Sequence, residues 1–241
     1  AVMTKVSADA LFRILFFVLD AQAVSGAAVT WLGWLAVVAI VAGSWMALAQ
    51  TDVRRMLAYS SVGQMGFIVI GFSLGNVPAM VGGLFHLLNH AVMKGCLFLV
   101  AGGVRWRTGA TTVKAYAGMG RRFPLSMAAF LVAALSMIGL PPTAGFFSKW
   151  YLLVGAFEAQ AWVVIAAVIV SSALSAIYFF RVIEKAFFHA SDEINPASEG
   201  TELPGVMLGP VVILAMVVLL LGILNEPIVT HFLMHALPPN V

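Results

Sequence analysis

Phe85-His86-Leu87-Leu88-Asn89-His90-Ala91-Val92-Met93-Lys94 lies inside an apolar run that extends from Ala79 to Val104. The run is long enough to cross a bilayer as a helix, which takes about 20 predominantly apolar residues. Helical periodicity then stacks His86, His90 and Lys94, spaced by four, along one face, one turn above another. Ionisable groups at membrane depth are costly and gather on ion or proton paths rather than in structural roles. The stretch therefore predicts a spanning helix with a conducting face.

The rest of the chain has the same character. Of its 241 residues 62% are hydrophobic and 10% charged, with a mean hydropathy of +1.02, whereas a soluble domain carries about 25% charge. Further apolar runs at 1–20, 27–49, 56–75, 125–157, 161–181 and 205–224 make room for about seven spans with short connections. The expected fold is all-α: a polytopic transmembrane helix bundle in which one helix is discontinuous. The first run has no charged leader region and no small-residue cleavage site, and reads as the middle of a longer chain rather than a signal peptide. The formal net charge of +3 comes from Lys and Arg in a few loops, which points to topology and to the lipid bilayer, and no nucleic-acid partner is expected. Cys96 is the only cysteine, so there is no disulfide framework, CxxC pair or iron-sulfur ligand set. With no nucleophile-base constellation and no phosphate-binding loop, no catalytic residue, metal or cofactor is assigned to this chain, and redox chemistry would belong to a partner.

The run 125–157 is too long for one straight span, and Gly139-Leu140-Pro141-Pro142-Thr143-Ala144-Gly145 sits in its middle. Proline removes a backbone donor and clashes with the preceding turn, so Pro141, Pro142 and Gly145 mark a helix break over 139–145. Lys149 follows one to two turns later, near the positive end of the half-helix that starts after the break. A lysine so placed is a candidate for proton exchange. Broken helices with a charged group near the midplane recur where irregular backbone lines a wet cavity.

If helices alternate, the loop at Thr51–Arg55 and the loop at Arg105–Arg122 share one side. The second holds Arg105, Arg107, Lys114, Arg121 and Arg122 without an acid, which under the positive-inside rule makes that side cytoplasmic. The mixed-charge segment Arg181–Glu202 is then also inside, and the C-terminus outside, in the inner (plasma) membrane. Asp52 is placed to cap the helix that follows it, with Arg54 and Arg55 at headgroup level.

Three linked motifs, Asp52-Val53-Arg54-Arg55-Met56-Leu57-Ala58-Tyr59-Ser60-Ser61-Val62-Gly63-Gln64-Met65-Gly66, the His86–Lys94 helix and Gly139–Trp150, resemble in order and kind the antiporter-like proton-conducting subunits shared by Mrp-type cation/proton antiporters, respiratory complex I and membrane-bound hydrogenases. Within that family the His-rich helix and the Pro-Pro-Thr-Ala-Gly-Phe-Phe-Ser-Lys break look most similar to those of the Mrp-type Na+/H+ antiporter. The resemblance implies two inverted five-helix repeats. Residues 1–26 would then be the last helix of a truncated first repeat, 27–181 the second repeat, 182–204 a cytoplasmic connection, and 205–241 a final helix and tail. It also implies a hydrated relay through Lys5, His86, His90, Lys94 and Lys149, with Tyr59, Ser60, Gln64 and Asn89 as water-bridging candidates. Ser7-Ala8-Asp9-Ala10 departs from the family pattern, and Asp9, one turn from Lys5, is placed to pair with it.

The function implied is a proton-conducting subunit of a monovalent cation/proton antiporter complex. The alternative is the proton-pumping membrane subunit of an NADH-quinone oxidoreductase or membrane-bound hydrogenase. Other membrane subunits are the implied partners, and protons, with sodium or potassium in the antiport case, are the cargo. Two remoter readings are a membrane redox subunit in which His86 and His90 ligate a metal or haem, and an assembly scaffold without a conducting role.

Overall fold

The computed structural model describes residues 3–18, 26–189 and 202–238. Among these the chain forms ten α-helices and no β-strand: α1 Met3–Arg13, extended by a π-turn over Ile14–Val18, α2 Gly26–Leu48, α3 Val53–Ser73, α4 Val77–Thr108, α5 Met119–Arg122, α6 Pro124–Ile138, α7 Ala144–Glu158, α8 Trp162–Phe188, α9 Gly205–Ile223 and α10 Asn225–Ile228. Short π and 3-10 turns continue α10 to Ala236.

Local chemistry explains the boundaries. Asp52 Oδ1 accepts the Arg54 and Arg55 N–H groups at 2.9 Å each, capping α3 as expected. Asn76 caps α4 by accepting from Ala79 N–H at 3.0 Å, with a proline in the first turn. Gly109 (φ +75°) ends α4 and Gly139 (φ +94°) ends α6, both in the left-handed conformation that glycine adopts without penalty.

Helices α2, α3, α4, α8 and α9 are each long and apolar enough to cross a membrane. Helices α6 and α7 have 15 residues each and are about 22 Å long, short of a hydrocarbon core of about 30 Å. Helix α6 starts at the end that holds Ser126 and Glu202 and α7 finishes at the end that holds Asn76 and Gly155, so the two traverse the bundle as one broken element. The expected seventh, the first run, is described only over Met3–Val18, which contains Lys5, Asp9 and Arg13. Before α6 the chain turns by 117° from the basic segment Lys114–Arg122, the geometry of a segment lying across the end of the bundle. Of the segment 182–204, read as a cytoplasmic connection, the first residues continue α8 to Phe188, and 190–201 lie outside the described residues.

Alternation of the spans is visible in hydrogen bonds between loops. Val53 N–H donates to Thr111 C=O and Val113 N–H to Thr51 C=O, each at 2.8 Å, so the α2–α3 and α4–α6 connections lie together at one end. Arg181 at the end of α8 joins them, donating to Leu48 C=O at 2.6 Å and Gln50 C=O at 3.0 Å, where α2 leaves carbonyls unpaired. Glu202 closes the same end by accepting from Leu125 N–H at 2.8 Å and Ser126 Oγ–H at 2.6 Å. At the opposite end Asn76 donates to Gly155 C=O at 2.7 Å.

Helix α4 runs through the centre, packed on α3, α6, α7 and α9. Helices α2 and α9 are peripheral; α2 turns Trp31, Trp34, Leu35, Val38 and Trp45 outward, the composition of a surface facing lipid or another membrane subunit.

Candidate functional site

The break sets the site. Helix α7 starts so close to the last turns of α6 that a Cβ on Gly145 would meet the Ser136 carbonyl, and Gly145 N–H donates to Ser136 Oγ at 3.0 Å. Asn89 on α4 fixes the other flank by donating to Ala144 C=O at 2.8 Å. Helix α9 backs the break at Gly222, where a Cβ would meet the Pro142 carbonyl. A chain interruption among apolar helices is thus held on three sides.

Lys149 is 5% exposed, yet it does not sit at the positive end of α7 as its position in the chain suggests. Its side chain folds back across the break, and Nζ donates to Met137 C=O and Ile138 C=O at 2.9 Å each and to Ser172 Oγ at 3.1 Å. The amine therefore meets the unpaired carbonyls at the negative end of α6. Three acceptors match the three donors of an ammonium. Gly139 makes the room, since a Cβ there would stand 3.1 Å from Lys149 Cδ.

His86, His90 and Lys94 are all fully buried and line up along α4 as the spacing predicts. The two imidazoles stack with centroids 6.0 Å apart. Phe67 is wedged between His86, 5.4 Å from its ring, and Lys149, whose Nζ is 5.1 Å from the Phe67 centroid. His86 is bonded at both nitrogens, Nε2 to Gln64 Oε1 at 2.8 Å and Nδ1 to Ser148 Oγ at 2.9 Å. Ser148 also reaches Gly145 C=O at 3.1 Å. This geometry accommodates two protonation states. With a neutral ring, Nε2–H donates to Gln64 and the Ser148 hydroxyl donates to Nδ1; with a proton added at Nδ1, that N–H donates to Ser148, whose own hydrogen turns to Gly145. His86 can take up or give up a proton without leaving a partner unsatisfied.

His90 is different: neither ring nitrogen has a hydrogen-bond partner among the described residues. Lys94 Nζ donates to Leu57 C=O at 2.6 Å and to Ser60 Oγ in a very short contact, and lies 5.9 Å from the Phe98 ring. Lys5 is 7% exposed, on a helix that packs on α3 and α4. Asp9 does not pair with Lys5. The carboxylate takes Arg13 Nε–H at 2.8 Å instead, on the exposed side of α1. Acid before base is the better order for such a pair, and Lys5 is turned inward.

Of the water-bridging candidates, Gln64 and Ser60 are direct partners of His86 and Lys94. Asn89 serves the break, although its Oδ1 is buried without a partner among the described residues. Tyr59 is half-buried against the apolar cluster around α4 and α6. The sequence reading missed the hydroxyls of α8. Ser172 holds Lys149, Ser171 Oγ is 2.6 Å from Ser44 Oγ, and Ser175 Oγ is 3.0 Å from the Tyr178 hydroxyl. Their helical spacing in Ser171-Ser172-Ala173-Leu174-Ser175-Ala176-Ile177-Tyr178 was the available signal.

No carboxylate pairs with any of these buried bases among the described residues, and no group of three or more His, Cys, Asp or Glu is placed to hold a metal. The site is a row of buried nitrogen bases in which His86, Lys94 and Lys149 are bonded to hydroxyl, amide or carbonyl groups and His90 is not, among the described residues.

Residues 1–175 match the family model described as "NADH:quinone oxidoreductase/Mrp antiporter, TM". The chain is 50% identical over 248 aligned residues to NADH-quinone oxidoreductase subunit N of Desulforudis audaxviator, covering 99% of this chain and 50% of the relative. A structure of respiratory complex I from Thermus thermophilus with bound NADH aligns with a TM-score of 0.82 at 28% identity, over 94% of this chain and 47% of its counterpart. A chain of the Mrp complex from a Dietzia species shares the fold, with a TM-score of 0.82 at 22% identity over 93% of this chain and 49% of the other. The chain thus spans about half the length of the relatives it matches.

Proposed function

The chain belongs to the NADH:quinone oxidoreductase/Mrp antiporter transmembrane family, and on that premise we propose that it conducts protons as a multi-pass membrane subunit of a quinone-linked respiratory complex. The antiporter assignment drawn from its motifs gives way to this alternative, because the relative sharing half of its residues is an NADH-quinone oxidoreductase subunit rather than an Mrp one. The observation that carries the reading is His86, held between Gln64 and Ser148 so that both protonation states are satisfied. Lys149 stands on one side of it, across Phe67.

In this reading protons enter near Lys5 and pass along His86, His90 and Lys94, with Lys149 at the break as the site that loads and releases. Every group on the line is basic, so a charge arriving at one repels the next and drives it onward. The end of the bundle holding Arg105, Arg107, Lys114, Arg121 and Arg122 faces the cytoplasm, and the C-terminus lies outside.

The test is the assembled complex in sealed vesicles, with the proton gradient followed during NADH oxidation. Lys149→Ala should lower the flux by about a hundredfold, the scale of a lost positioned proton-transfer group, with assembly intact. A gradient formed at the normal rate overturns the relay. Sodium or potassium pulses that collapse a pH gradient without NADH would restore the antiporter reading in its place.

A further inference from the structure

We propose that the hydroxyls of Ser172, Ser175, Tyr178 and Ser60 form a second proton path, along α8, joining Lys149 to Lys94 without passing through either histidine. It rests on the reading above, that both lysines exchange protons. The hydrogen bonds on this line are Lys149 Nζ to Ser172 Oγ at 3.1 Å, Ser175 Oγ to the Tyr178 hydroxyl at 3.0 Å, and Lys94 Nζ to Ser60 Oγ. Tyr178 and Ser60 face each other where α8 packs on α3 and are joined in this path through a water, and Ser172 and Ser175 are likewise not in direct contact. The two serines are one helical turn apart on one face, about 5–6 Å, a distance one bridging water covers.

Burial singles this line out. Ser60, Ser175, Tyr178 and Lys94 are each at most 1% exposed. Hydroxyls in membrane helices commonly join one helix to another, and the Ser44–Ser171 pair does that between α2 and α8. The Ser175–Tyr178 contact lies within one helix, three residues apart, and joins nothing. Along α4, by contrast, the step through His90 has no hydrogen-bonded neighbour on either ring nitrogen among the described residues.

The transfer conserves protons at each step. A Lys149 ammonium gives one proton to Ser172; each hydroxyl in turn accepts a proton and releases its own to the next oxygen, and Ser60 delivers the last to the free amine of Lys94. Afterwards every hydroxyl points the other way. The path must turn back before it carries another proton.

Parallel paths have a kinetic signature that a merely structural tyrosine lacks. In the assembled complex, Tyr178→Phe, which keeps the ring, and His90→Ala each leave one path open and should each lower proton flux by less than about tenfold, whereas the double variant should lose about a hundredfold or more, beyond the product of the singles. Ser175→Ala in the His90→Ala background should reproduce that loss, which guards against a packing effect of the tyrosine change. A double variant no slower than His90→Ala overturns the path, and so does a Tyr178→Phe variant as slow as the double. Lys149→Ala, measured alongside, separates the two levels: normal flux with it overturns the underlying relay, while lost flux with it and a double variant no slower than His90→Ala overturns the hydroxyl path alone.

Discussion

The two innermost lysines are held by different means. Lys149 lies at a break, where α6 ends early and its last carbonyls are unpaired; two of them, from Met137 and Ile138, receive the amine. Lys94 lies within the unbroken α4, and its acceptors come from the neighbouring α3, the Leu57 carbonyl and the Ser60 hydroxyl. At the first site the backbone is broken to supply acceptors. At the second a side-chain hydroxyl supplements a carbonyl that remains part of a helix. Rigid backbone should therefore dominate the energetics around Lys149, and replaceable side chains those around Lys94.

The largest expected effect tests the break. Gly145→Ala drives a Cβ into the Ser136 carbonyl, and backbone cannot yield as a side chain does, so a loss of about 3 kcal/mol or more is expected, read as a lowered midpoint in thermal unfolding of the purified complex. Next comes Asn89→Ala, which removes the bond to Ala144 C=O. A buried acceptor left without its donor costs about 2 kcal/mol. If either variant unfolds at the wild-type temperature, the break is not held as described.

The unbroken side should be more forgiving. Ser60→Ala takes one of two hydrogen-bond acceptors from Lys94 but leaves the Leu57 carbonyl in place, for a loss of roughly 1.5 kcal/mol in the same unfolding measurement. A loss exceeding that of Asn89→Ala would reverse the contrast and make the hydroxyl the stronger restraint.

The same contrast decides what could be read from sequence. The break was legible because Pro141-Pro142 cannot continue a helix, and the α4 face because ionisable residues four apart stand out in an apolar run. Lys149's direction was not, since sequence spacing places its Cα after the break but is silent on a long side chain reaching back over it. Asp9 stands four residues from both Lys5 and Arg13, so spacing alone left two pairings, and exposure selected Arg13. The α8 hydroxyls were hidden for another reason. Serine and tyrosine are ordinary in membrane helices, and the partners of Ser172 and Ser171, Lys149 and Ser44, lie 23 and 127 positions away in the chain. The shared end of the two loops, inferred from alternation alone, is borne out by the Val53–Thr111 and Val113–Thr51 bonds.

The smallest effect is expected furthest from the line of bases, at Asp52. Removing its carboxylate frees the Arg54 and Arg55 N–H groups at the start of α3, which costs about 1 kcal/mol for a lost helix cap. The two backbone bonds between the Thr51–Val53 and Thr111–Val113 segments do not involve that side chain, so the loops should stay joined and α3 should keep Gln64 and Ser60 in register. Asp52→Ala should accordingly lower the unfolding midpoint slightly while proton flux in vesicles stays within about twofold of wild type, since surface changes away from such features are usually small. A drop in flux as deep as that of Lys149→Ala would mean that the ends of the helices, rather than the buried contacts between them, set the geometry of conduction, and the contrast between the two lysine sites would lose its functional meaning.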